Sequence, residues 1–246
     1  DSREFGCNTS CKDPTASGTG KPRHQIQSQP PASSPKANLL VLCMNVGDDP
    51  KNQLRLPAVR QAIRLAIDVK SLAQDLDSRR WSPQPGFCPS VLRTGGNVPQ
   101  LNRDRARQLL GDAKFELTLD HVSGTPRGRV VQILTKQLAD VGITLKSRAL
   151  NGRQFFAGLT ARQHQLALLS WNADYFDPHS NAHAFCANSE IENRNSVSES
   201  RTLAWYCRWY DQVIAEGANA AAIEADDAER KKKYDEIEKQ LLDRGP

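Results

Sequence analysis

The sequence predicts an α/β fold, and three observations carry that prediction. Residues 115–150 switch from strand to helix to strand periodicity; two short apolar runs, "NLLVLCMNV" (38–46) and "QLALLSW" (165–171), have the length and branched residues of buried strands; and the flanking segments place apolar side chains at helical spacing. The first is the most explicit. In "FELTLDH", Phe115, Leu117 and Leu119 alternate with Glu116, Thr118 and Asp120, as in a half-buried strand. "RVVQILTKQLADVG" then sets Val131, Leu134, Leu138 and Val141 on one helical face, and "ITLKSRAL" alternates again. Gly142 stands where a helix C-terminus takes a left-handed residue, so this is a βαβ unit whose crossover is expected to be right-handed, joining parallel strands of one sheet.

The other elements follow in order. Residues 1–36, including "DPTASGTGKPRHQIQSQPPASSPK", are rich in Ser, Thr, Pro, Gly and Gln and are expected to form a disordered or linker-like leader before a folded region at 37–246. The run at 38–46 ends in the turn signal "GDDP". "RLPAVRQAIRLAIDVKSLAQDL" places Val59, Ala62, Ile63, Ala66 and Ile67 on one stripe, with Pro57 in the first turn and Arg60, Gln61 and Arg64 assigned to the wet face. Residues 81–102, with four prolines and three glycines, predict an extended surface loop, and "NRDRARQLLGDA" resumes helix. "SRTLAWYCRWYDQVIAEG" reads as one amphipathic helix with Leu203, Tyr206, Cys207, Tyr210, Val213 and Ile214 on its buried face. The last segment, "DDAERKKKYDEIEKQLLDRGP", is a second such helix carrying Tyr234, Ile237 and Leu241, with acidic residues at its start.

Composition removes several functions. The 246 residues, 38% hydrophobic, are enough to bury a real core. A net charge of +5 is spread over 33 basic and 28 acidic residues, and the run Lys231 to Lys233 sits among acidic neighbours as a solvated face, so no nucleic-acid partner is expected. No apolar run approaches the ~20 residues of a membrane span. The chain starts at Asp1 with no signal pattern, so an address label is expected to be absent or already removed. Six cysteines, Cys7, Cys11, Cys43, Cys88, Cys186 and Cys207, contain no C-x-x-C pair. They permit disulfides without demanding them; Cys7 and Cys11 would close a small loop in an oxidising compartment, and Cys207 belongs to a core face.

The chemistry concentrates in "LLSWNADYFDPHSNAHAFCAN" (168–188). Asp177 before Pro178 is a helix-entry signature, because the carboxylate caps free N–H groups and proline has none to lose. His179 and His183 then stand at i and i+4, a spacing used in helical metal sites, but without the glutamate of an H-E-x-x-H pattern. They are read as ordinary polar residues, with no metal site. Asp174 differs: it follows an apolar strand and Trp171 at the strand's C-terminal end, the edge of open α/β sheets where ligands bind. A carboxylate there, partly screened by Trp171 and Tyr175, suits a cationic group of a ligand; the competing reading is a carboxylate that ties down its own loop. No G-x-S-x-G, G-x-x-x-x-G-K or G-x-G-x-x-G occurs, and no catalytic residue is assigned.

The succession "LLVLCMNV", "LPAVRQAIRLAID", "NRDRARQLL", the βαβ with "VGI", "SWNADYFDPHSNAHAF" and "ERKKKYDEIEKQLLDRGP" resembles the C-terminal lobe of the extracytoplasmic solute-binding proteins of peptide-type ABC importers, the dipeptide/oligopeptide-binding family 5. The resemblance covers about 38–246. It implies a single lobe of a type II periplasmic-binding-protein-like fold, a mixed sheet flanked by helices. It further implies a two-lobed clamp that closes on a peptide or related small solute outside the cytoplasm and delivers it to a membrane permease, with no cofactor and no enzymatic activity. The family's W-x-x-D aspartate, which pairs with the ligand's α-ammonium group, falls on Asp174; Trp171 walls the pocket, and Asn172 and Tyr175 complete the expected ligand-binding set. Family members are longer, with an N-terminal lobe that is missing here and a tail after the final proline that returns to it. Half a cleft is expected to bind feebly. The alternatives are a stand-alone protein-interaction module derived from that lobe and a metal-dependent hydrolase using Asp174, Asp177, His179 and His183.

Overall fold

The predicted βαβ unit supplies two of the four strands of the sheet. The computed structural model describes residues 38–47, 49–77, 81–88, 98–124, 127–188 and 201–246; the expected leader, with Cys7 and Cys11, and residues 89–97 of the expected loop lie outside the described residues. Strand β2 (Phe115–Val122) pairs in parallel with β3 (Ile143–Leu150) along its whole length, Leu117 opposite Leu145. Between them runs α4 (Arg127–Ala139), and Gly142 has the left-handed φ of +90° expected of it. On its other side β2 pairs in parallel with β4 (Leu166–Asn172), which pairs antiparallel with β1 (Asn38–Met44), giving one mixed sheet in the order β1-β4-β2-β3.

Both faces of β4 are covered, which is why its sequence is a continuous apolar run rather than an alternating one. Leu166 and Leu168 join one core with α1 (Pro57–Ala66), α3 (Arg103–Leu110) and α4; Ala167 and Leu169 join the other. That second core is built from α5 (Gly152–Thr160), α6 (Pro178–Cys186), α7 (Leu203–Tyr206), α8 (Gln212–Ala222) and α9 (Asp227–Arg244). β3 is an edge whose residues Lys146, Ser147, Arg148 and Ala149 are all exposed, and the Arg148 guanidinium grips the buried Asp120 of β2 through two bonds of 2.6 Å.

Two helical expectations are corrected. The stretch 201–217 is not one helix. Thr202 caps α7, Arg208 takes a left-handed φ of +50°, and the Asp211 side chain accepts from Ile214 N–H to start α8 afresh. The phase resets at that break, so Val213, placed on the buried face by the continuous wheel, is 60% exposed while Ile214 is fully buried. The segment from Pro57 is also interrupted, because Asp68 caps a separate helix α2 (Val69–Asp77) through Lys70 and Ser71 N–H.

A third correction concerns Arg60 and Arg64, expected on the wet face. Arg60 is buried and donates to the carbonyls of Leu54, Arg55, Arg244 and Gly245; Arg64 also donates to Gly245. The last carbonyls of a helix have no partner within it, and here two guanidiniums of α1 satisfy the end of α9. Burial, and then the neighbouring Arg60, pull Arg64 down to about 10. Among the described residues no helix is long and apolar enough to cross a membrane.

Candidate functional site

Because β2 and β4 are parallel, the C-terminal end of β4 and the start of α4 emerge at the same edge of the sheet. Ser170, Trp171 and Asn172 end β4, residues 173–177 turn, and α6 begins at Pro178. The predicted cap is present: Asp177 has extended φ/ψ and its carboxylate accepts from His179 N–H at 2.8 Å. The same carboxylate also accepts two bonds from Arg230 of α9, at 2.7 and 3.0 Å. Those Arg230 hydrogen bonds, against the cost of burial, hold Asp177 below the usual carboxylate range. Arg230 in turn lies 5.2 Å from the Tyr234 ring centre, so the loop is bolted to α9 at this point.

Trp171 is half-buried and oriented by a relay of polar contacts. Its indole N–H donates to Asn181 Oδ1 at 3.2 Å; Asn181, fully buried, donates to Phe87 O at 2.8 Å; and the next residue, Cys88, donates its N–H to Glu238 of α9 at 2.7 Å. Gly86 permits that approach, since a Cβ at this position would stand 2.6 Å from Glu238 Oε1. The indole is therefore fixed by three separate segments of chain.

Asp174 has the opposite character. Its backbone N–H is held by Ser180 Oγ at 2.8 Å, yet its side chain is exposed and, among the described residues, makes no ion pair. Among the described residues the expected screening by Trp171 and Tyr175 does not cover Asp174: Tyr175 and the following Phe176 are 52% and 65% exposed. Asn172 is exposed at the end of β4, opposite Asn38. The four predicted residues thus lie together at one sheet edge, and among the described residues they form an open surface rather than a pocket. A groove of about 340 Å³ runs instead along β1, α2, Trp81 and Phe185, and a pocket of about 240 Å³ lies between Pro178, Arg230 and Tyr234; Asp174 and Trp171 line neither.

One residue at this edge was missed from the sequence. Arg127, the first residue of α4, donates to Ser170 Oγ of β4 at 3.0 Å, while its buried Nε has no hydrogen-bond partner among the described residues. The available signal was its place directly after a strand in a βαβ unit, where helix N-termini face ligands. Among the described residues the edge therefore carries an unpaired carboxylate and a guanidinium with unspent donor capacity. His179 and His183 stand side by side on α6 with ring centres 5.9 Å apart, and burial followed by the charge of His183 lowers His179. No group of three or more metal-ligating side chains is gathered among the described residues.

The family model for "Bacterial extracellular solute-binding proteins, family 5 Middle" matches residues 13–193. The probable di/tripeptide-binding protein 5 of Pseudomonas aeruginosa (strain UCBPP-PA14) is 28% identical over 182 residues, which are 68% of this chain and 33% of that protein. The chain thus spans about a third of the length of this curated relative. Among solved structures, the Helicobacter pylori periplasmic binding protein DppA in complex with the peptide STSA superposes with a TM-score of 0.70 at 18% identity, over 86% of this chain and 41% of that one. The Escherichia coli murein tripeptide binding protein MppA gives 0.72 at 16% identity, over 86% and 42%. At such identities these two structures establish a shared fold over part of their length.

Proposed function

Starting from the fact that this chain belongs to family 5 of the bacterial extracellular solute-binding proteins, we propose that residues 37–246 form one lobe of a two-lobed clamp that binds short peptides for an ABC importer. On this reading residues 1–36 are a leader or connection, the protein works outside the cytoplasm, its partner is a membrane permease, and its activity is binding without catalysis. The observation that carries the proposal is Asp174: a carboxylate at the C-terminal edge of the sheet, with its backbone held and its side chain left unpaired among the described residues. Such a group supplies a charge-assisted hydrogen bond to an incoming α-ammonium group.

Trp171 forms the fixed wall beside that ammonium, Asn172 and Tyr175 border it, and Arg127 offers a guanidinium to the ligand's carboxylate or carbonyl oxygens. The openness of the edge fits a lobe whose lid is another lobe. Closure buries the ligand between the two, excludes water and strengthens the Asp174 contact, so the ligand stabilises the closed form by its differential affinity. The names of the relatives, which specify di- and tripeptides, murein tripeptide and the peptide STSA, support a short peptide as the solute.

Isothermal titration tests the proposal. The complete two-lobed protein carrying this region is expected to bind di- to tetrapeptides, the 246-residue chain alone to bind them far more weakly, and Asp174→Ala to abolish measurable binding in both. A complete protein indifferent to Asp174→Ala would remove the residue from the site. A second reading, a protein-interaction module, draws on the exposed Tyr175 and Phe176. It requires a partner chain whose binding is lost with Phe176→Ser while peptide binding is kept.

A further inference from the structure

We propose that the open side of β1 is the seat of a fifth strand: an extended segment that follows Pro246 in the complete protein and pairs antiparallel with β1. The inference rests on the reading of this chain as one lobe of a longer protein. The sheet has two edges, and they are finished differently. β3 exposes Lys146 and Arg148, charges of the kind that keep a foreign strand from pairing. β1, "NLLVLCM", carries no charge and no proline, and among the described residues its only ladder is the one to β4. Every second residue of such a strand turns its N–H and C=O away from the partner, and those groups seek bonds. Leu40, Val41 and Leu42 are only half-buried, although they pack against the cores.

The space beside β1 has the shape of a strand. The groove of about 340 Å³ follows five consecutive residues, Asn38 to Leu42, which is about 16 Å of strand. It opens between the two layers, with Leu72 and Leu76 of α2 from the first core and Phe185 of α6 from the second, and among the described residues no charged side chain lines it. An added strand therefore finds main-chain partners along β1 and apolar walls for its alternating side chains. The occupant is indicated by where α9 delivers the chain. Arg60 and Arg64 hold the Gly245 carbonyl, and the next residue, Pro246, shares a void of about 20 Å³ with Val41, Leu42, Cys43 and Phe185. The groove also includes Val41, Leu42 and Phe185, so a chain continuing from Pro246 enters it at Leu42 and runs towards Asn38, antiparallel to β1. It leaves beside Asn38, opposite Asn172, at the edge that carries Asp174.

Residue-resolved hydrogen–deuterium exchange, measured without peptide on the 246-residue chain and on the complete protein, tests this. The expected result is that alternate amides within 38–44 exchange about 100-fold more slowly in the complete protein, while the β1 amides bonded to β4 change little. Leu72→Arg, which sets a cation in the uncharged groove, should return the slowed amides of the complete protein to the rate of the chain alone. If that variant fails to fold, the wild-type comparison decides. Equal rates in the two proteins would overturn the inference, and so would amides already slow in the 246-residue chain, where a second copy or another part of this chain would be the occupant. The outcome is separable from the peptide-binding proposal. Slow β1 amides in a complete protein that binds no peptide would remove that proposal alone; unslowed amides in one that binds peptide would remove this one alone.

Discussion

Asp174 and Asp177 share a loop, a residue type and nearly the same position at the sheet edge, yet their carboxylates do different things. Asp177 accepts from His179 N–H and from two nitrogens of Arg230, so both of its carboxylate oxygens are engaged by its own chain. Asp174 has its backbone fixed by Ser180 and its carboxylate directed to no cation among the described residues. Natural folds pair carboxylates that they use for stability; one that is positioned and left open is available to something else. The contrast sets, within four residues, a carboxylate used by the fold against one proposed for a ligand.

Stability measurements can break it. The largest loss is expected for Arg230→Ala, about 2–3 kcal/mol in chemical unfolding, because it removes the bidentate pair, the bond to Ala221 O and the stacking on Tyr234 together. Asp177→Ala should cost about 1–2 kcal/mol, a lost cap plus a partly exposed ion pair. Asp174→Asn should stay within about 0.5 kcal/mol of the parent. Equal losses for the two aspartates would erase the distinction.

Acid titration of stability sharpens it further. Arg230 depresses the folded-state Asp177, so the unfolded chain takes up that proton first as pH falls. The resulting contribution is present above the ordinary carboxylate value and lost as pH drops through the folded one; Asp177→Asn should flatten that acid limb and Asp174→Asn should not. A separate loss comes from His164, buried in the fold and lowered from 6.5 to about 4 chiefly by that burial. The unfolded chain protonates there first, so up to about 3 kcal/mol should disappear as pH falls from about 6.5 to about 4. His164→Gln should remove this window in thermal melts taken across that range.

Much of this architecture was legible because it is local. The periodicities of 115–150, the apolar run of β4 and the Asp177–Pro178 entry need only near neighbours to be decoded, and the order of segments identified the family. What escaped depends on distant chain. Arg60 and Arg64 lie off the apolar stripe of their helix, but the end of α9 arrives over them and supplies carbonyls. Arg230 hides in a charged run whose neighbour Lys232 is indeed solvent-facing, and only the approach of α9 to the α6 cap distinguishes it. The break after α7 was obscured because aromatic residues continue the helical spacing across a left-handed Arg208. At this edge, Trp171, Asn172, Asp174 and Tyr175 were proposed from their place after a strand, whereas Arg127 required knowing that β2 and β4 run side by side.

The most direct measurement of the central claim is a two-by-two titration on the complete two-lobed protein, wild type and Asp174→Asn, each with a tripeptide and its N-acetyl derivative. If Asp174 neutralises the ammonium group, acetylation weakens wild-type binding about 100-fold, corresponding to about 2.7 kcal/mol, and has no further effect on the variant. An acetylation penalty of the same size in both proteins would mean that the ammonium is recognised elsewhere.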